Sequence, residues 1–583
     1  MGVPSYFRWL TTRYEKKIIH STLPRDRITG SVVLYLDFNG AIHPAVRSNP
    51  DMKYADMNAA VCTYLENILS YVRPDEVYIA IDGVAPAAKM NQQRDRRYKS
   101  AKETHFMRVL NHKYGQVNRA EPVDFNMISP GTEFMYDLQN GLEEYIKHQQ
   151  KDRCNPIWGG LKKVTLNGSN QPGEGEHKIM AEIRSRKDQP EHPVVYGLDA
   201  DLIFLSLLNQ PKIILLRENS FFGSDAADES AYSYLDITAL HKILISILQP
   251  TTNLTSCTGM GVKNLVGREP AEQHKDTQNN DPQRLLIDYA FICFLMGNDF
   301  LPRLPSLRIR DDSLADVIVF YKITAWNGGA YLVKPDLELN YDFFYEFLSE
   351  IAHVENEVLV QQALQREKNI RRQLEKVKRL SPYEAEKERN NYVEDKYVDD
   401  ILPGTTGWRV RYYAEHVNIR YVTSEIFQAD IFKVCKNYIE GMIWVLRYYL
   451  KGPPNWDWLY HYKVAPSAQD LRDFLNSVDD QPIVFQPSEP VSPYVQLMSI
   501  LPPDSAKLLP EALQHYMTDK DSKIHYMYPI EFKLTYHGNK FLHECPPTLP
   551  FIDRGLLTRI VELNTMDYSE KEKLRNIVFV PAF

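Results

Sequence analysis

Cysteine is scarce in this 583-residue sequence: six residues, at 62, 154, 257, 293, 435 and 545, with no CxxC pair. That scatter offers neither a zinc-site pattern nor a disulfide framework, and it fits reduced structural thiols in an intracellular compartment. There is no run of about eighteen apolar residues, so no membrane-spanning helix is predicted. The opening Met1-Gly2-Val3-Pro4-Ser5-Tyr6 has no signal-peptide apolar region, and Tyr6 stands where a myristoylation signal needs Ser or Thr. Internal repeats and long low-complexity segments are also missing. Positive charge is not in excess either. Against 76 Asp and Glu there are 68 Lys and Arg, a net charge of −8. A protein that held nucleic acid through a general basic surface would not have this balance, so any such contact must be local. No dense Lys/Arg import cluster is present, which sets the expected compartment as the cytoplasm, with the nucleus kept open.

What is present is ordinary for a soluble globular protein, 44% hydrophobic and 25% charged. The length allows a large core plus a second domain. Ser31–Asp37, Glu76–Asp82 and the run Val194-Val195-Tyr196 before Asp199 read as buried strands that end at acids. Lys212–Leu216 reads as a further strand. Helices are predicted within residues 1–30, over 57–72, Ala88 to Tyr114, Arg284–Leu295, 342–365 with a charged continuation to 392, and 424–451. Residues 250–283 read as a loop, and Trp-rich residues 452–463 as a turn. Strand, helix and acid-ended strand in alternation predict an α/β fold, a mostly parallel sheet with helices on its faces.

The chemistry concentrates in Gly173-Glu174-Gly175-Glu176-His177-Lys178 and in Gly197-Leu198-Asp199-Ala200-Asp201. Each holds two carboxylates two residues apart. The glycine between Glu174 and Glu176 is expected to let the backbone turn sharply and bring both acids to one point. Asp37, Asp82 and Asp299 complete a set of seven. Strand-end acids in a parallel sheet project from its carboxyl edge, where such sheets place their sites. Two carboxylates about 4 Å apart repel by roughly 1 kcal/mol in water and about 4 kcal/mol at an effective dielectric of 20. A hard divalent cation such as Mg²⁺ relieves that repulsion. Two cations about 4 Å apart make the phosphodiester site in which an attacking water and a leaving oxygen are both stabilised. Taken singly, each pair reads equally well as solvated loop charge, and Asp37 and Asp299 as helix caps.

Lys89, Gln93, Arg96 and Arg97 fall on one face of a helix that starts just after Asp82. One Lys, one Gln and two Arg suit a terminal phosphate, the arginines by bidentate contact. The plain alternative is a solvated basic face. His43 is placed on a loop six residues after Asp37, and Trp456 and Trp458 sit in the 452–463 turn. Such rings can stack on bases, or they can be core.

These residues resemble the Xrn family of 5′→3′ exoribonucleases over essentially the whole chain. The resemblance rests on Met1-Gly2-Val3-Pro4 and Phe7-Arg8-Trp9, and on Leu36-Asp37-Phe38-Asn39-Gly40. It continues through Asp82-Gly83-Val84-Ala85-Pro86, Lys89-Met90-Asn91-Gln92-Gln93-Arg94, Ser129 to Met135, Pro172 to Met180, Tyr196 to Ile203 and Met296 to Pro302. In the second half Gly441, Trp444, Tyr448-Tyr449, Trp456, Trp458, His461-Tyr462 and Gln496-Leu497-Met498 carry it on. It implies a PIN-like nuclease core, residues 1–345, then a charged helical connector, 346–403, and a second conserved, largely helical region, 404–583, enclosing the active site.

By position, the resemblance makes Asp37, Asp82, Glu174, Glu176, Asp199, Asp201 and Asp299 the ligands of two Mg²⁺ ions, with Mn²⁺ a substitute, and Asn39 an active-site asparagine. It makes Lys89, Gln93, Arg96 and Arg97 a 5′-monophosphate pocket. His43 and one of Trp456 and Trp458 become base-stacking residues. The implied activity is processive hydrolysis of single-stranded RNA from a 5′-monophosphate to nucleoside 5′-monophosphates, as in mRNA decay. The N-terminal helix would exclude duplex. Decapping or decay factors are the implied partners, a monomer the implied state, and the chain's end at Phe583 implies a compact member without accessory C-terminal domains. Ala87 departs from a frequent Arg of the family, and the short Lys99–Glu121 stretch implies a stunted projecting helix. Two rival readings remain: a flap- or 5′-exonuclease-like enzyme acting on DNA, and a catalytically silent RNA-binding scaffold.

Overall fold

The computed structural model describes residues 3, 5–24, 30–49, 52–116, 123–186, 193–209, 212–219, 231–249, 281–328, 331–392, 400–536 and 539–579. In the first part α1 (Tyr6–Ile18) and β1 (Ile19–His20) precede β2 (Val33–Asp37), α2 (Asn39–Arg47) and α3 (Tyr54–Val72). Then come β3 (Glu76–Ala80), α4 (Ala87–Lys113), α5 (Glu133–Gln149), β4 (Lys163–Asn167) and α6 (Gly175–Ser185). β5 (Val194–Tyr196), α7 (Asp201–Asn209), β6 (Ile214–Glu218), β7 (Tyr232–Asp236), α8 (Ile237–Leu248) and α9 (Pro282–Phe294) follow. The predicted loop at 250–283 lies outside the described residues up to 280, and its last two residues start α9.

The strands form one seven-stranded sheet in the order β1-β7-β6-β5-β2-β3-β4. Strands β6, β5, β2, β3 and β4 run parallel, and β7 is antiparallel to both β6 and β1. The α/β prediction therefore holds. The all-apolar strand runs have their cause here: both faces of the sheet are covered. Along β2 the side chains alternate between two cores, Val33 and Tyr35 entering one, Leu34 and Leu36 the other. At roughly 25 cal/mol per Å² of buried apolar surface, this two-sided burial is what holds the central strands in register.

The second part is largely helical: α10 (Ser313–Gly328), α11 (Tyr341–Val377), α12 (Pro382–Asn391), α13 (Trp408–Val417), α14 (Ser424–Lys451), α15 (Ala468–Leu475) and α16 (Pro493–Ile500). α17 (Glu511–Thr518), α18 (Arg554–Leu563) and α19 (Glu570–Arg575) come last, with a short hairpin, β8 (Lys533–Leu534) and β9 (Pro547–Thr548). The predicted helix over 424–451 matches α14, which Thr423 caps by accepting the Ile426 N–H. The apolar core is continuous from α1 through α9 and α10 into α14 and α15, so it does not break at 345 or 404. A third, smaller core joins Val84 and Met90, on either side of the start of α4, to α16, α17 and α18.

Candidate active site

The seven acids come together. Strands β5, β2 and β3 are adjacent and parallel, so Asp37 at the end of β2, Asp82 two residues beyond β3 and Asp199 three beyond β5 share one sheet edge. Glu174 is the N-cap of α6 and Glu176 lies in its first turn, while Asp201 opens α7. Asp299 arrives on the loop after α9. Asn39, at the start of α2, accepts the Asp82 N–H through Oδ1 at 3.1 Å.

Gly175 serves a different purpose from the one its sequence suggests. It lies inside α6, and the left-handed backbone belongs to Gly173 (φ 102°). A Cβ on Gly175 would stand 2.7 Å from Asp37 Oδ1 and 3.4 Å from Asp82 Oδ1. Its N–H donates to Asp82 Oδ1 at 2.7 Å. The glycine is there so that a helix N-terminus can approach two carboxylates. The sequence places His43 wrongly as well: it lies within α2, not on a loop, because the chain becomes helical directly after Phe38.

The electrostatics are those of crowded, desolvated acids. Burial and then the charges of Asp82, Asp199 and Glu174 push Asp37 well up. Burial and then Asp201 push up Glu176, and burial and then Asp299 carry Asp201 to about 7. Burial opposes ionisation of Asp299 too, yet it is held at about 2, with the Lys89 ammonium as its strongest opposing charge. Lys89 leans into the acids, 2.5 Å from Glu174 Oε2 and 2.8 Å from Asp299 Oδ2. Tyr448 of α14 donates to Glu174 Oε1 at 2.8 Å. Glu176 Oε2 and Asp201 Oδ1 are buried with no hydrogen-bond partner among the described residues. Mutually repelling oxygens, two of them unpartnered, are a donor set that fits hard divalent cations. Glu174, Glu176 and His177 also offer ligand atoms within 4.8 Å of one another. The His177 ring, however, stacks on Tyr448 with centroids 3.7 Å apart. Sequence reasoning missed His177, Tyr448 and the ion pairs of Lys89. The GEGEHK motif carried His177 in plain view, but its partner lies more than 270 residues away.

Along α4 the face predicted for phosphate is split. Lys89 joins the acids. Arg97 is buried, donates Nη2 to Ser129 Oγ at 2.8 Å, and has no partner for Nη1 among the described residues. Burial, then the neighbouring Arg96, lowers it to about 9. Gln93 Oε1 is buried and has no partner among the described residues, whereas Arg96 is exposed. Burial and the charges of Arg47, Arg96 and Arg97 lower His43 to about 4, so its ring is neutral. The two tryptophans differ. Trp458 stacks on Trp444 (5.2 Å, 23°) and presses on Gly441, where a Cβ would come within 2.7 Å of its ring. Trp456 makes no ring contact among the described residues, and its carbonyl accepts the Ala87 N–H at 2.8 Å.

The start of α4 is clamped from several sides. Gln496 Oε1 accepts the Ala85 N–H at 2.7 Å, the Gly83 N–H goes to Gly173 O and the Gly173 N–H to Val84 O. Arg94, on the same helix, donates to the carbonyls of Pro550 and Met527. α4 runs 27 residues to Lys113, and its far end is paired to α12 through Lys113–Glu386.

Clustered carboxylates at the carboxyl edge of a parallel sheet, with a cationic helix that starts among them through Lys89, are the arrangement of a metal-dependent phosphodiester-cleaving protein. The family model described as the XRN 5'-3' exonuclease N-terminus matches residues 1–219, and that of the Xrn1 helical domain matches 279–387 and 364–582. The chain belongs to the XRN family of 5′-3′ exonucleases. It is similar to a 5'-3' exoribonuclease 2 homolog of Drosophila melanogaster, 30% identical over 651 residues, covering 96% of this chain and 70% of that protein. It is 31% identical over 630 residues to 5'-3' exoribonuclease 1 of Homo sapiens, covering 99% of this chain, and 28% identical over 698 residues to 5'-3' exoribonuclease 1 of Schizosaccharomyces pombe, covering all of it. The chain spans 35% of the human protein's length and 50% of the fission-yeast one's.

Proposed function

We propose that the protein is a processive 5′→3′ exoribonuclease that hydrolyses single-stranded RNA bearing a 5′-monophosphate to nucleoside 5′-monophosphates. One observation carries this reading: the helix of cationic residues begins inside the acid cluster, with Lys89 bonded to two of its carboxylates. A phosphate held along α4 lies next to the acids, which is the geometry of cleavage measured from an end.

Asp37, Asp82, Glu174, Glu176, Asp199, Asp201 and Asp299 would hold the cations. Two Mg²⁺ ions, or Mn²⁺ in their place, would supply water activation and neutralise charge developing at the scissile phosphate. Asn39 fixes the Asp82 backbone and so aims that carboxylate. Arg97 offers Nη1 to the 5′-phosphate, Ser129 fixes the guanidinium plane, and the Gln93 amide can present either end to the same group. Arg96, more exposed, adds charge at the mouth. His43 and Trp456 are assigned the stacking of the first bases, since His43 is neutral and Trp456 has no ring partner among the described residues. Trp458 is assigned to packing. Each cut leaves a 5′-phosphate on the remaining strand, so the product end is again a substrate end.

The test is release of nucleoside 5′-monophosphates in Mg²⁺ from RNA and DNA of equal length. RNA is consumed, DNA is spared, and Asp199→Ala abolishes release while the protein stays folded. Equal cleavage of DNA favours the flap-nuclease reading, and no release from either favours the scaffold.

A further inference from the structure

Both backbone polar groups of Trp456 are held. Its carbonyl accepts the N–H of Ala87, the first residue of α4 and two residues before Lys89. Its N–H donates to Ser488 Oγ at 2.9 Å, and the Asp457 N–H is shared between the same oxygen at 3.2 Å and Asn455 Oδ1 at 2.8 Å. A hydroxyl oxygen has the two lone pairs this requires. Ser488 belongs to the irregular segment between α15 and α16. That segment is itself pinned: Arg447 Nη1 donates to Ile483 O at 3.0 Å, the Ile483 N–H to Glu338 Oε2 at 3.2 Å, Lys334 pairs with Asp480, and Asn455 Nδ2 donates to Gln486 O.

We infer that Ser488 is a positioning residue for base stacking: its hydroxyl fixes the Trp456 peptide, and that peptide ties the stacking indole to the first turn of the phosphate helix. The spacing between the stacked base and the 5′-phosphate is thus set by a chain of three groups, Ser488 Oγ, the Trp456 peptide and the Ala87 N–H. Without the hydroxyl the 456–457 turn loses a shared acceptor, and the indole is no longer held at one distance from α4. The inference rests on Trp456 as the stacking residue.

The experiment measures equilibrium binding of two 5′-phosphorylated RNA oligonucleotides with a non-hydrolysable first linkage, one with a base on the first nucleotide and one abasic there. Ser488→Ala weakens the base-bearing probe roughly three- to tenfold, the worth of a hydrogen bond or two. It leaves the abasic probe within about twofold, and Ser488→Thr restores binding. Trp456→Ala gives a larger base-dependent loss, to which Ser488→Ala adds little. Equal losses on both probes, or no loss in Ser488→Ala while Trp456→Ala shows its own, overturn the role of Ser488. No base dependence in Trp456→Ala removes the stacking assignment, and the role of Ser488 with it.

Discussion

The acid cluster and the first turns of α4 are both polar and largely buried, and they are built in opposite ways. The acids come from strand ends and helix starts between residues 37 and 299, and they repel one another. The helix α4 leaves the same sheet, but its start is held by Gln496 and Trp456, and Arg94 by carbonyls at 527 and 550, all from the second half of the chain. The acids belong to the sheet edge. The placement of the cationic helix depends on how the helical region braces it. The two meet at Lys89, which is on the helix by sequence and among the acids by contact.

The largest effects are expected at the acids. Asp201→Asn and Glu176→Gln remove groups asked to supply several kcal/mol of charge stabilisation, so mononucleotide release should fall by on the order of 10³-fold or more. The same changes should raise the melting temperature of the metal-free protein, because each takes a repelling charge from a buried site. A lower melting temperature would place these acids among the stabilising contacts instead.

Next comes the pair of tryptophans. Trp458→Ala opens space beside Trp444 and should cost about 3 kcal/mol of stability, read by denaturant unfolding. Trp456→Ala should cost well under that and weaken RNA binding. A reversed pattern would exchange their roles.

Arg97→Ala should slow cleavage of 5′-monophosphorylated RNA by roughly 10- to 100-fold, the scale of a charge-assisted hydrogen bond. 5′-hydroxyl RNA should change little. Equal slowing of both would make α4 a general binding face.

The smallest effect is in pH. An acid whose folded pKa lies above its unfolded value favours the folded state only while protonated. For Asp201, raised from 3.8 to about 7, that contribution is present at low pH and lost as pH rises through this window. The gain in melting temperature on adding Mg²⁺ should therefore grow from pH 5 to pH 7.5. An Asp201→Asn protein should show a flatter profile, and matching profiles would remove Asp201 from the set.

Much of this was legible in the sequence, for physical reasons. Apolar runs ending at Asp37 and before Asp82 and Asp199 can belong to a parallel sheet buried on both faces, and such a sheet collects its strand ends at one edge. The offsets of Lys89, Gln93, Arg96 and Arg97 place them on one helical face. What periodicity could not supply was contact across hundreds of residues. Tyr448 on Glu174, Gln496 on Ala85 and Lys89 on Asp299 each join segments more than 200 residues apart. Nor could it separate Trp456 from Trp458, two residues apart in one turn, because what differs is the neighbour, Trp444. The role of Gly175 was hidden likewise: close approach to two carboxylates leaves the same letter as a tight turn.

The most direct measurement compares three RNAs of one sequence, carrying 5′-monophosphate, 5′-hydroxyl or 5′-triphosphate, with mononucleotide release followed in Mg²⁺. The monophosphorylated RNA should be converted rapidly from end to end, with release at least about tenfold slower from the other two. Equal rates on all three would contradict the 5′-phosphate assignment, because α4 would then hold no end.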